Sequence, residues 1–192
     1  MRLAKLESDY DGKIELDWRA FLLQPEPRPK PLESFIRYTE RWVRTGGPAD
    51  TAPECGFRPW ADDDDAPPTH SVPPAIAGKI ARSYGASEFG RFHLATMRAY
   101  FAEHRTISDP EVLADIAGEV RLPRDEFRAR LRTEGGELAA AVLAEHHLGR
   151  DLDVHAVPSV VVNGFPIPGA QDLDVYRRMI DRLLARLDED PR

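Results

Sequence analysis

Cysteine is nearly missing from this sequence: one, Cys55, in 192 residues. A single thiol excludes an intrachain disulfide, any C-x-x-C pair within the chain and a cysteine-rich structural zinc site. Nothing here asks for an oxidising compartment, so the expected location is cytoplasmic. Long apolar runs are also missing. No stretch reaches the roughly 18 residues of a membrane-spanning helix, and no membrane partner is expected. The N-terminus has no basic-then-apolar leader, so no secretory signal is expected. Positive charge is in deficit, with 26 Lys and Arg against 33 Asp and Glu and a net charge of −7. That balance disfavours nucleic acid as a partner, because phosphate binding needs cations. Much of the excess lies in the run Asp62–Asp65, which reads as a solvated loop because like charges resist packing. G-x-S-x-G, Walker and H-E-x-x-H patterns do not occur.

What is present suits one globular domain with an insertion: 42% of residues are hydrophobic, enough for a core. Residues 2–10 read as the end of an amphipathic helix with Leu3, Leu6 and Tyr10 on one face, broken by Asp11-Gly12. From Lys13 to Leu23 the chain alternates. Ile14, Leu16 and Trp18 face one way and Glu15, Asp17 and Arg19 the other, which predicts a strand. A proline-rich stretch at 24–31 predicts an extended path. A helix over Leu32–Arg44 follows, then a long loop over 45–74, of the kind that forms an active-site lid or an excursion from the domain. From Pro74 to Gly149 the period is helical, giving four or five helices. One of them starts at Ser108, as cap, with Glu111 reaching back. The pattern then changes. Val157–Val162 is a short β-branched run, Asn163-Gly164 a hairpin turn, and Phe165–Pro168 a second strand that its prolines confine to an edge. Asp172 opens a last helix with Leu173, Tyr176, Ile180 and Leu183 on one stripe.

This order of elements resembles the DsbA-like branch of the thioredoxin-fold proteins, in the cytosolic variety that includes FrnE-like oxidoreductases and 2-hydroxychromene-2-carboxylate isomerases. Three segments carry the likeness: Trp18–Glu26, Arg91–Leu113, and above all Val157-Pro158-Ser159 through Asn163-Gly164 to Gly169-Ala170-Gln171. It implies an α/β fold, a thioredoxin-like sheet with an inserted helical subdomain, lacking its first β-strand. Residues 1–31 and 150–192 would form the thioredoxin-like domain, and 32–149 a loop plus the helical insertion. It implies that Pro158 is cis and that the backbone of Val157 pairs with an extended peptide or with glutathione. A trans proline opening a strand is the alternative. Gln171 and Asp172 would help to hold glutathione at a helix start, or Asp172 is simply an N-cap.

The same resemblance places C-x-x-C, or a serine variant, upstream of Met1, where a helix N-terminus would lower the thiol pKa. Two readings follow: a start that misses the motif, or a shortened paralogue whose sheet a partner chain completes. The expected activity is therefore that of a thiol-disulfide oxidoreductase-like protein, inactive as a dithiol enzyme in this form. A glutathione-dependent isomerase or transferase and a non-enzymatic peptide binder are the alternatives. Expected partners are a peptide or a thiol or disulfide substrate, or a second copy of the chain. No cofactor is expected beyond glutathione. Cys55 lies in the loop Pro53–Trp60 with no resolving cysteine near it and reads as a thiol without a role. His93 reads as helix packing and His155 as a residue able to line the groove. His146 and His147 diverge on adjacent helical positions and do not chelate one ion.

Overall fold

Apolar residues three and four positions apart organise most of the chain into helices. The computed structural model describes residues 2–51 and 53–189; Met1 lies outside them. In chain order the elements are α1 (Arg2–Tyr10), α2 (Leu32–Thr39, continued by a 3-10 turn over Glu40–Val43), α3 (Pro48–Thr51, then a 3-10 turn over Pro53–Cys55), α4 (Val72–Ser83), α5 (Ala86–Phe101), α6 (Pro110–Glu119), α7 (Arg124–Thr133), α8 (Gly135–Asp151), β1 (Ser159–Val162), β2 (Phe165–Pro168) and α9 (Leu173–Glu189). They fall into two units, Leu22–Leu143 and Met1–Phe21 with Ala144–Arg192.

The unit Leu22–Leu143 is helical. Its centre is built from Ile76, Ala77, Ile80 and Ala81 of α4, Phe92 and Ala99 of α5, Leu113, Ala114, Ile116 and Ala117 of α6, and Phe127 of α7, all buried. The alanines let the helices approach closely, and Phe92 and Phe127 meet with ring centres 5.1 Å apart. Complete burial of one such phenylalanine contributes roughly 1.5–3 kcal/mol. The cap of α6 differs from expectation: it is Asp109, whose carboxylate accepts from Glu111 N–H at 2.8 Å. Pro110 fixes the first helical φ, so the cap is the residue directly before it. The Ser108 hydroxyl accepts instead from Thr69 N–H at 3.0 Å.

The segment 45–74, expected as an active-site lid or an excursion, packs into the unit. Trp60 is buried in it, against Phe35 and Trp42, with Phe57, Tyr100 and Phe101 packed around them. Trp60 N–H donates to the buried Thr39 Oγ1 at 2.9 Å. Nor is the acid run wholly solvated. Asp62, Asp63 and Asp65 are exposed, but Asp64 turns inward. Its carboxylate accepts from Ala61 N–H at 2.7 Å and meets Nδ1 of His104 at 2.5 Å. His104 is buried and stacks on Trp60 at 5.1 Å, with Nε2 3.1 Å from the Arg58 carbonyl. Burial of the Trp60 indole, with the hydrogen bonds around it, offsets part of the entropy of ordering the loop that carries it.

In the other unit α1 and α9 pack together. Leu6 is buried, the Tyr10 hydroxyl donates to Asp181 at 2.6 Å, and Arg177 joins Asp9 at 2.6 Å and Asp174 at 3.1 Å. β1 and β2 form an antiparallel pair in the register Ser159–Pro168, Val160–Ile167, Val161–Pro166, Val162–Phe165. Asn163 and Gly164 turn the hairpin with φ of +49° and +83°, the two positive values that a type I′ turn requires.

The expected strand over Lys13–Leu23 is not one. Its alternation is present: Ile14, Leu16 and Trp18 are half-buried and Glu15, Asp17 and Arg19 exposed. Among the described residues, however, the sheet has two strands, and this segment is neither. A strand needs a ladder partner as well as a face. Here the end of the segment is held by α8. Glu145, nearly buried, accepts from Ala20 N–H at 2.8 Å and from the Arg19 guanidinium at 3.3 Å. The Phe21 ring lies 4.8 Å from that of His146. It also covers Gly149 so closely that a Cβ there would come within 3.0 Å of the ring.

Candidate functional site

The hairpin brings the residues singled out in the sequence to one corner. Val157 is 44% exposed, Pro158 is exposed, and the peptide bond between them is cis. Behind them the Ser159 hydroxyl donates to the Ala156 carbonyl at 2.7 Å. Across the hairpin, Gly169 N–H donates to the Pro158 carbonyl at 2.8 Å. Gly169 has φ of +78°, a conformation that glycine adopts without cost.

The corner at 169–172 is held from within. The Gln171 side-chain amide donates to the Pro168 carbonyl at 2.7 Å. Gln171 N–H donates to the Tyr176 hydroxyl at 3.2 Å, and that hydroxyl donates to the Gly169 carbonyl at 3.4 Å. Asp172 is exposed, and its carbonyl accepts from Val175 N–H at 3.0 Å in the first turn of α9. Val157-Pro158 and Gln171-Asp172 are thus joined through Gly169. Tyr176 is buried at 4% exposure. It stands on the stripe of Leu173, Tyr176, Ile180 and Leu183, which spacing alone marks as apolar, and its phenol is the one polar group among them.

The register also fixes which backbone groups point away from the partner strand. In an antiparallel pair, alternate residues direct their N–H and C=O away from the partner strand. Residues flanking a two-residue turn exchange bonds, so Val162–Phe165 and Val160–Ile167 face inward while Ser159, Val161, Pro166 and Pro168 face outward. The outer edge of β2 therefore offers no donor within the strand, since both outward residues are proline. The outer edge of β1 keeps the donors of Ser159 and Val161. Val161 and Phe165 are exposed beside it, the latter at 70%.

The remaining candidates lie elsewhere or are otherwise engaged. His155 is exposed, with Nε2 2.7 Å from an Asp153 carboxylate oxygen. His93 stacks on Phe89 at 5.5 Å, and burial holds its pKa below the ordinary value. The rings of His146 and His147 are 5.7 Å apart and tilted by 53°. The pKa of His146 is lowered by burial and then by the charges of His147 and Arg150. Cys55 is exposed in the helical unit. Among the described residues no three His, Cys, Asp or Glu side chains gather as a metal site, and no helix is long and apolar enough to cross a membrane.

Residues 83–181 match the DSBA-like thioredoxin domain family. The uncharacterized protein YwbO of Bacillus subtilis (strain 168) is 25% identical over 187 residues, 92% of this chain and 86% of that protein. The ClpXP adapter protein SpxH of the same organism is 23% identical over 137 residues, 68% of this chain and 45% of that protein. Among solved structures, the cytosolic disulfide reductase DsbM from Pseudomonas aeruginosa superposes with a TM-score of 0.61 at 19% identity, covering 98% of this chain and 91% of that one. Its structure with GSH gives a TM-score of 0.59, with 98% and 89% covered. The likeness to DsbM is one of fold.

Proposed function

The chain belongs to the DSBA-like thioredoxin domain family, and from that membership we propose that it is a cytoplasmic thiol-disulfide oxidoreductase-like protein of the FrnE-like branch. It receives an extended thiol- or disulfide-bearing peptide on Val157-Pro158 and the corner Gln171-Asp172. The observation that carries the reading is the exposed Val157, set beside that corner by the Gly169–Pro158 hydrogen bond. The main chain of Val157 supplies hydrogen bonds to the incoming peptide, and the exposed carboxylate of Asp172 suits an ammonium group on it. This sequence holds one cysteine, and two-thiol exchange needs two. The 192-residue chain alone therefore binds such substrates without turning them over as a dithiol enzyme.

The test is a titration of the chain with an extended cysteine-containing peptide, beside an insulin-reduction assay with dithiothreitol as electron source. The peptide binds, and Val157→Pro, which deletes the N–H, weakens it by about 2- to 12-fold, the worth of one main-chain hydrogen bond. Insulin reduction stays at the dithiothreitol background. Acceleration above that background would refute the statement about dithiol chemistry, and peptide affinity indifferent to Val157→Pro would refute the site.

A second reading rests on the open edge of β1: a non-enzymatic relative that binds extended chains, or a second copy of itself, by strand addition. The match to an adapter protein supports it. Peptide binding that survives Val157→Pro but fails with an N-methylated peptide favours this reading. The glutathione-dependent isomerase or transferase alternative requires glutathione to bind at the same corner; DsbM has been solved with GSH. Calorimetry with glutathione separates it from the other two.

A further inference from the structure

The hydrogen bonds at the corner form a continuous chain with one side chain in the middle. Pro158 C=O accepts from Gly169 N–H at 2.8 Å. Gly169 C=O accepts from the Tyr176 hydroxyl at 3.4 Å, and the oxygen of that hydroxyl accepts from Gln171 N–H at 3.2 Å. Tyr176 is buried, and a buried hydroxyl is stable only with its hydrogen bonds made. Its two bonds go to backbone groups two residues apart, one on each side of Ala170. Tyr176 itself stands in α9, so the bonds tie the hairpin end to the helix. Without the hydroxyl, the Gly169 carbonyl and the Gln171 N–H lose the side chain that joins them to α9, while Gly169 N–H keeps Pro158 and the Gln171 side chain keeps Pro168.

We infer that Tyr176 is a positioning residue for the peptide site: its hydroxyl locks the Pro158 loop to the start of α9, so that Val157-Pro158 and Gln171-Asp172 present one rigid contact surface. The inference rests on the site proposed above. It adds that the two halves of the site open and close together, and that a substrate spanning both depends on a hydroxyl it does not touch. A phenylalanine would fill the same space and leave the apolar packing of α9 in place, so the bond can be removed without a cavity.

The decisive experiment is amide hydrogen exchange at Gly169 and Gln171 in the ligand-free protein, with binding of the cysteine-containing peptide measured alongside. In the unsubstituted protein the two amides show the same opening equilibrium. In Tyr176→Phe both exchange about 5- to 150-fold faster, the effect of two lost neutral hydrogen bonds, and peptide affinity falls. Tyr10→Phe, which removes a tyrosine hydroxyl bonded to Asp181 in the same unit, leaves both amides unchanged. If the two amides of the unsubstituted protein open independently, or Tyr176→Phe leaves them as they were, the inference is overturned. The first of these readings needs no variant and so survives a substitution that fails to fold. If the unsubstituted protein does not bind the peptide, the proposed site fails, while the exchange data still decide whether Tyr176 locks the corner.

Discussion

Replacing Glu145 by alanine removes the acceptor that holds the extended segment ahead of Phe21 against α8. Three contacts fix that segment's end: Ala20 N–H to the carboxylate at 2.8 Å, Arg19 to the same carboxylate at 3.3 Å, and Phe21 over Gly149 and His146. The first is a hydrogen bond to a charged, nearly buried acceptor, worth about 1.5–3 kcal/mol. The second involves an arginine that is 55% exposed and also paired with Asp17, so it adds about 1 kcal/mol at most. Glu145→Ala should therefore cost the attachment about 2–4 kcal/mol. Glu145→Gln keeps a neutral acceptor for Ala20 and should cost about half as much. Amide exchange at Ala20 is the assay. A loss of about 2 kcal/mol corresponds to roughly 30-fold faster exchange, graded from glutamate through glutamine to alanine. Exchange at Ala20 that stays within about threefold of the unsubstituted rate in Glu145→Ala would refute the assignment, since a lost charged acceptor is worth more than that. Phe21 on Gly149 would then be the anchor.

Thr39→Val keeps the shape of a fully buried side chain but strips the acceptor from Trp60 N–H. Chemical denaturation followed by tryptophan fluorescence should show a loss of about 1–3 kcal/mol, with Thr39→Ser near the unsubstituted protein. His104→Phe keeps the stack on Trp60 and removes the contacts to Asp64 and the Arg58 carbonyl. It should destabilise the helical unit by a further few kcal/mol at most, about 1–3, and speed amide exchange across 57–65. Unchanged exchange there would show that the aromatic packing alone holds the loop. The Tyr10 phenol has its pKa pushed up to about 12, first by its hydrogen bond to Asp181 and then by burial. The folded value lies above the unfolded one of about 10, so the stabilisation is whole below about pH 10 and is lost as pH rises through 12. A phenolate absorbance titration checks this: Asp181→Asn should bring one tyrosine step back toward pH 10, and an unmoved step would refute the cause.

Features written in neighbouring residues were the legible ones. The helices from Val72 to Asp151 follow a local period, and the hairpin follows Asn163-Gly164, because a turn type depends on two residues. The alternation over Ile14–Arg19 told correctly which side chains are exposed but not whether a ladder partner exists, since pairing is set by another part of the chain. Distance hid the rest. Asp64 and His104 are 40 positions apart, and no pattern in either neighbourhood links them. Trp60 sits among prolines and acids that read as loop, and its burial follows from Phe35, Trp42 and Tyr100 at remote positions. At the site, Val157-Pro158 and Gln171-Asp172 stood out through motif, whereas the hydroxyl of Tyr176 was invisible to a count of apolar spacing.

The two prolines of β2 also decide the geometry of any self-association through this hairpin. A head-to-tail contact, β1 of one molecule on β2 of the next, would repeat without end and build a filament. Pro166 and Pro168 leave that contact only their carbonyls, half of a ladder, so pairing of β1 with β1 would be the better-bonded arrangement. The β1–β1 contact is isologous: it uses the same residues on both sides and leaves at either end only a β2 edge without donors. Were this hairpin to self-associate, growth beyond a pair would be disfavoured by residues whose contribution is a hydrogen bond they cannot make.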